Sequence, residues 1–318
     1  MRLIVLLLFI VSISIPASAA GSKRCLYINS YHSGYAWSDG IEAAIKTELA
    51  GHCQLTIFRM DTKRNTSTAF GKQKALEAKK LIESLHPDVV IASDDNASKY
   101  LIAPYYKNSN LAIVFCGINW TAKAYGYPYN NATGMIEVSA IKALLHKARE
   151  ILGSVHTVAF IAAKGVRTDE KEYAWMAKTY ARSHVKVIPY YAANMAAWEQ
   201  AYRAAQASDM IVLNNIAGIK NWHRDRAIAY AAKYAHKLTV STYDFMAQYS
   251  MLAMTKIASE QGNWAAQVAI RLLQGKKANS IPVVANRRFN MFVNLPLLQN
   301  TDIKLPDSIL FKAIKVVP

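Results

Sequence analysis

Beyond its first residues the chain lacks any stretch approaching the roughly 20 apolar residues that a membrane-spanning helix needs, so the mature protein is expected to be soluble. Acidic residues are also scarce: Asp plus Glu number 21 against 38 Lys plus Arg in 318 residues, a formal net charge of +17. Such a surface attracts anions, whether nucleic acid, lipid headgroups, cell-wall polymers or an acidic solute, and charge alone does not choose among them. Cysteine is limited to Cys25, Cys53 and Cys116. None forms a Cys-x-x-Cys pair, and the histidine nearest Cys53 is the adjacent His52, so neither a zinc site nor a redox motif is expected. The catalytic signatures are missing too: there is no Walker-type loop, no G-x-S-x-G elbow and no H-E-x-x-H helix. His32 and Asp94 form a conceivable base and orienter, but no serine is singled out as their nucleophile. The expectation is a protein that is not an enzyme and carries no cofactor.

The N-terminus supplies the compartment. Arg2 precedes the apolar run Leu3 to Ile15, followed by Pro16 and Ala17-Ser18-Ala19-Ala20. This pattern reads as a secretory signal peptide over residues 1–19, cleaved after Ala19, and places the mature chain in the periplasm. An export signal occupies the place where a repressor carries its helix-turn-helix, which argues against nucleic acid as partner. In an oxidising compartment a disulfide can form. Cys25 and Cys53 open consecutive strands that lie side by side, about 4.8 Å apart, if the sheet has the common 2-1-3 order. They are the expected pair, with Cys116 left as a buried thiol.

Short apolar runs alternate with amphipathic segments along the rest of the chain, the signature of open parallel sheets flanked by helices. Strands are expected at Cys25–Ser30, Gln54–Met60, Asp88–Ser93 and Leu111–Gly117, with helices near Ser38–Leu49, Ala69–Leu85 and Asn96–Tyr106. After a junction near Gly134–Ser139 the pattern repeats through strands at His156–Ala162, Val185–Tyr191, Met210–Asn214 and Leu238–Thr242. The fold class is therefore α/β, with two Rossmann-like open parallel-sheet lobes joined by a hinge. A closed barrel is the competing architecture. The tail argues against it, because Ser250–Ser259 reads as extended, Asn263–Leu273 as helical and Pro282–Leu295 as extended again, which suits a chain crossing back between lobes. The expected division is residues 20–138 plus about 250–280 in lobe one and 139–249 plus about 281–318 in lobe two.

In open parallel sheets the ligand sits beyond the carboxyl ends of the strands. Those positions supply the candidate site. The first strand leads into Asn29, Ser30, Tyr31 and His32, with Trp37 at the next helix start. The third ends at Ser93 and Asp94, and the fourth at Asn119. The second lobe contributes Lys164, Asn214, Thr242, Tyr243 and Asp244. Ser93 and its neighbours serve equally well as helix caps, Trp37 as packing over a helix start, and Lys164 as a solvated surface cation. Asn214, following an apolar strand, is costly unless it is bonded. The segment Tyr125–Tyr129 reads either as a cleft lid or as a Tyr-rich surface loop.

Asn29-Ser30-Tyr31-His32 with Gly34-Tyr35-Ala36-Trp37-Ser38-Asp39-Gly40 resembles the opening of the ABC-transporter substrate-binding family that includes tryptophan-binding proteins. The resemblance continues through Thr133-Gly134, Ser241-Thr242-Tyr243-Asp244-Phe245, Val293-Asn294-Leu295 and Asp302-Ile303-Lys304-Leu305-Pro306. It implies a type I periplasmic binding protein with two lobes, a hinge and ligand in the cleft; the expectation is a monomer that closes on a small molecule, an amino acid or other small amphiphilic solute, and delivers it to a membrane permease. Related domains serve sensor kinases, so a membrane sensor is the alternative partner.

Overall fold

A computed structural model describes residues 22–316, and the expected signal peptide lies outside the described residues. Strand β1 (Arg24–Asn29) is buried after its first residue, as a strand covered on both faces must be. It pairs in parallel with β2 (Gln54–Arg59) on one side and β3 (Val89–Ser93) on the other. Helices α1 (Ala36–Leu49) and α2 (Thr68–Leu85) make the crossovers between them. The Ser67 hydroxyl accepts the Phe70 N–H to start α2, and His86 ends it in the left-handed conformation. After β3, α3 (Asp94–Ala97) runs through a π-helical turn, Ser98–Ile102, into α4 (Ala103–Tyr105). Two further parallel strands, β4 (Ala112–Asn119) and β5 (Ala132–Glu137), extend the sheet in the order β2-β1-β3-β4-β5. The 2-1-3 arrangement brings Cys25 and Cys53 together in a disulfide, with their Cα atoms 5.9 Å apart. Cys116, on β4, is a free and buried thiol.

The second sheet begins after α5 (Ile141–Leu152), whose Ile141, Leu144, Leu145 and Ala148 recur at helical spacing and face the core. Strands β6 (Thr157–Ala163), β7 (Lys186–Ala192), β8 (Met210–Leu213) and β9 (Leu238–Ser241) alternate with α6 (Arg167–Ala181), α7 (Met195–Ala205) and α8 (Arg224–Tyr234). Its core is rich in aromatics: Trp198, Tyr202 and Tyr180 are fully buried, and the Trp198 and Trp222 rings meet edge to face 5.0 Å apart. Strand β10 (Leu252–Lys256) joins this sheet beside β9. The chain then returns to the first lobe as α9 (Ala258–Leu273) and the two-residue β11 (Val284–Ala285), which pairs with β5. It leaves again as β12 (Phe289–Val293), α10 (Leu295–Gln299), α11 (Asp307–Lys312) and β13 (Ile314–Lys315). The finished second sheet has the order β13-β12-β10-β9-β8-β6-β7, antiparallel only between β12 and β10.

Three crossings therefore join the lobes: β5 to α5, β10 to α9, and β11 to β12. This corrects the expected division in two places. Residues 252–256 belong to the second sheet, and Val284–Ala285 belongs to the first. The junction near Gly134–Ser139 is also partly a strand, since Ala132–Glu137 is β5. A short apolar run announces a strand but not the sheet that receives it. Helix α9 is held in the first lobe by close packing on α1. A Cβ on Gly262 would lie 2.3 Å from the Ile41 carbonyl oxygen, so only glycine permits this approach.

Candidate functional site

Because the strands that face the crossings run parallel, their carboxyl ends point at the gap between the lobes, and a cleft of about 1300 Å³ opens there. Tyr31 follows β1, Asp94 and Asp95 follow β3, Asn119 ends β4 and Glu137 ends β5 on one wall. Glu172 and Trp175 on α6, Asn215 after β8 and Thr242 to Phe245 after β9 form the other.

Asp94 is the most constrained of these residues. Its backbone is left-handed, with φ 65°, an uncommon conformation outside glycine. The β4 ladder shifts register between Phe115 and Ile118, and Gly117 in that bulge leaves room for the carboxyl. A Cβ on Gly117 would stand 3.0 Å from Asp94 Oδ1. The Trp37 indole donates to Oδ1 at 3.2 Å, while Oδ2 is buried with no hydrogen-bond partner. Burial, with repulsion from Glu137, pushes this carboxyl well above the usual range. Asp95 is better served, accepting from Asn119 Nδ2 at 2.8 Å and the Tyr125 hydroxyl at 2.7 Å.

At the base of the cleft the Lys256 ammonium donates to Glu137 Oε1, joining the last residue of β10 to the last residue of β5 across the crossings. Burial opposes the charge on Lys256, but attraction and hydrogen bonding to Glu137 more than offset it, so its pKa is raised. Burial raises Glu137 against the pull of the same lysine. The Lys256 Nζ also stands 5.5 Å from the Trp37 ring centre, within cation–π range. In the second lobe Asp169 and Glu172 are buried, and both Asp169 oxygens and Glu172 Oε1 lack partners. Burial pushes Asp169 up to about 6.

Of the expected site residues, Tyr31, Trp37, Asp94, Asn119, Thr242, Tyr243 and Asp244 line the cleft. Six do not, each for a local reason. Asn29 is fully buried and accepts the Tyr31 N–H at 2.8 Å. Ser30 donates to the Ser93 carbonyl at 2.6 Å and accepts the Ala97 N–H at 2.7 Å, fastening a loop to the next helix. Ser93 shares a hydrogen bond with the Tyr27 hydroxyl, and His32 turns its Nδ1 to the Ser33 carbonyl. Lys164 is exposed in the turn before α6. Asn214 is buried with both side-chain polar atoms unpartnered, and its neighbour Asn215 takes the place on the wall. The Tyr125–Tyr129 segment divides: Tyr125 lines the cleft, whereas Tyr127 and Tyr129 are buried, with Tyr127 against Phe115 at 4.2 Å.

Sequence reasoning missed Glu137, Lys256 and Trp175. A single charge closing an apolar run just before each crossing was the available signal for the first two. Lys171, Trp175 and Lys178 share one face of α6, and that spacing marked the third. Among the described residues no cluster of His, Cys, Asp or Glu is arranged to hold a metal ion, and no helix is long and apolar enough to cross a membrane.

The architecture has relatives among solved structures. The chain is similar to a substrate-binding protein with adhesive properties from Clostridium difficile, in its ligand-free, open form, at 11% identity and TM-score 0.71 over 93% of this chain and 99% of that one. An ABC domain in complex with L-Trp from Streptococcus pneumonia matches at 14% identity and TM-score 0.57, over 93% of this chain and all of the other. A periplasmic ribose ABC transporter protein from Conexibacter woesei matches at 15% identity and TM-score 0.57, over 87% and 93%. The fold is thus that of the type I periplasmic binding proteins. A search of curated proteins returns no match. The model of the ABC transporter substrate binding protein family matches residues 28–317 of the 318, and the protein belongs to that family.

Proposed function

We propose that the protein is exported to the periplasm, where its lobes close on a small amphiphilic solute and present it to an ABC permease. The cleft carries this reading. Its volume of about 1300 Å³ exceeds the roughly 300–1,000 Å³ of pockets that enclose a small ligand, and its polar and aromatic residues come from both walls. Rotation about the three crossings would bring Trp37 and Asp94 toward Thr242 and Asp244, and a ligand touching both walls favours the closed form through contacts made only there. Family membership supplies the permease as partner. The export signal, the monomeric state and the lack of a nucleic-acid partner belong to the same reading.

Mass spectrometry of solutes that co-purify with the exported protein tests it. A solute present at one hundred times its Kd should stabilise the fold by about 2.7 kcal/mol. Trp37→Ala and Asp244→Ala should lose most of that gain while the ligand-free variants stay folded. Full retention of the gain in both variants would contradict the cleft assignment.

A further inference from the structure

The cleft wall inverts the charge balance of the chain. Basic residues outnumber acidic ones by 38 to 21 in the whole sequence, yet Asp94, Glu137 and Glu172 are the buried charges that line the cleft. Glu137 is neutralised by Lys256. The remaining cleft lysines, Lys63, Lys171 and Lys178, are exposed to solvent, and among the described lining residues there is no arginine. The one lysine held away from solvent in the described wall, Lys256, is thus already paired, and no unpaired buried cation is left there to receive a carboxylate or phosphate.

Asp94 and Glu172 remain, one from each lobe, 2% and 4% exposed. Each keeps one oxygen, Oδ2 and Oε1, without a hydrogen-bond partner. A buried carboxylate oxygen with nothing to accept carries an uncompensated desolvation cost. A charged donor removes that cost more fully than a neutral one, because the attraction acts in a low dielectric. Trp37, Trp175 and Tyr243 line the same cleft, and aromatic ring faces attract cations and cover apolar surface at once.

We infer that the solute is an organic cation, an ammonium group on an apolar body, anchored by Asp94 of one lobe and Glu172 of the other. This rests on the solute-binding reading above and narrows it to a charge class. A free carboxylate on the ligand is not needed. The acids lie on opposite walls, so a bound cation also draws the lobes together, which couples recognition to closure.

Three probes sharing one apolar body test the inference: phenethylamine, phenylalanine and phenylacetate, titrated by calorimetry into the solute-stripped mature protein. Phenethylamine should bind at least as tightly as phenylalanine, and phenylacetate at least roughly tenfold more weakly than phenethylamine. Asp94→Asn and Glu172→Gln preserve shape while removing charge, and each should weaken phenethylamine by roughly tenfold or more with an unchanged circular dichroism spectrum. The inference is overturned if phenylacetate matches phenethylamine, if phenylalanine alone binds, or if phenethylamine is unaffected in both variants. It is also overturned if phenethylamine does not bind. Binding of phenylalanine or phenylacetate in place of the amine would leave the solute-binding reading intact, whereas a protein that binds none of the probes and carries no co-purifying solute would sink both.

Discussion

The two walls of the cleft are finished to different degrees. In the first lobe a hydrogen-bond network ties Ser30 to Ser93 and Ala97, Ser93 to Tyr27, and Asp95 to Asn119 and Tyr125, while Asn29 Nδ2, Ser38 Oγ and Asp94 Oδ2 stay buried without partners. A disulfide and the close α1–α9 contact stiffen the same lobe. In the second lobe Asp169, Glu172 and Asn214 are buried with five unpartnered atoms between them. Among the described residues, unpartnered buried carboxylate oxygens number one in the first lobe and three in the second, so the second lobe keeps more groups whose partners a ligand or lobe closure would supply. Preorganisation on one side would lower the ordering cost of binding, and under the proposed reading unpaired groups on the other would make closure depend on a solute that fits.

The strongest blow to this comparison falls where the walls meet. Lys256→Ala leaves Glu137 buried and unpaired, and should cost about 3 kcal/mol in urea unfolding. Lys256→Met combined with Glu137→Gln should recover most of that loss. If the single variant is neutral, the pair does not pin the base of the cleft. Cys25→Ser removes a cross-link spanning 28 residues of sequence, and the chain-entropy account expects a loss of about 3 kcal/mol. The second lobe should keep its own hydrogen-exchange protection in that variant if the stiffness of the first lobe is local.

Smaller effects sharpen the contrast. Gly262→Ala forces α9 away from the Ile41 carbonyl and should cost about 1–3 kcal/mol, read as a lowered Tm. Asp169, buried in the second lobe, tests its unpartnered acids by pH. Its folded pKa stands near 6, above the roughly 3.9 of an unfolded aspartate. Between about pH 4 and 6 the folded state therefore holds a proton that the unfolded chain releases. Stability should fall as pH rises through that window, and Asp169→Asn should make the fall shallower by on the order of 1–2 kcal/mol. Equal slopes for the two proteins would show that Asp169 is solvated.

Much of the first wall was legible in the sequence because its chemistry is local. Tyr31, Trp37, Asp94 and Asn119 follow strands whose apolar runs and flanking helices are plain, and the strand alternation also implied the adjacency of Cys25 and Cys53. The second wall was less legible. Lys164 was expected at the site because it follows β6, but α6 begins three residues later and places Glu172 and Trp175 on the cleft instead. Glu137 and Lys256 were hidden for a different reason. Their meeting depends on which sheet receives β5 and β10, and short apolar strands carry no mark of that choice.

The claim that a solute draws two unequal walls together is tested most directly by small-angle X-ray scattering. The sample that retains its co-purified solute should be compared with the same protein after solute removal and refolding. The loaded form should have the smaller radius of gyration, and adding the solute back should restore it. Identical scattering from loaded and stripped protein, with solute binding verified by mass spectrometry, would contradict closure as the event that a permease reads.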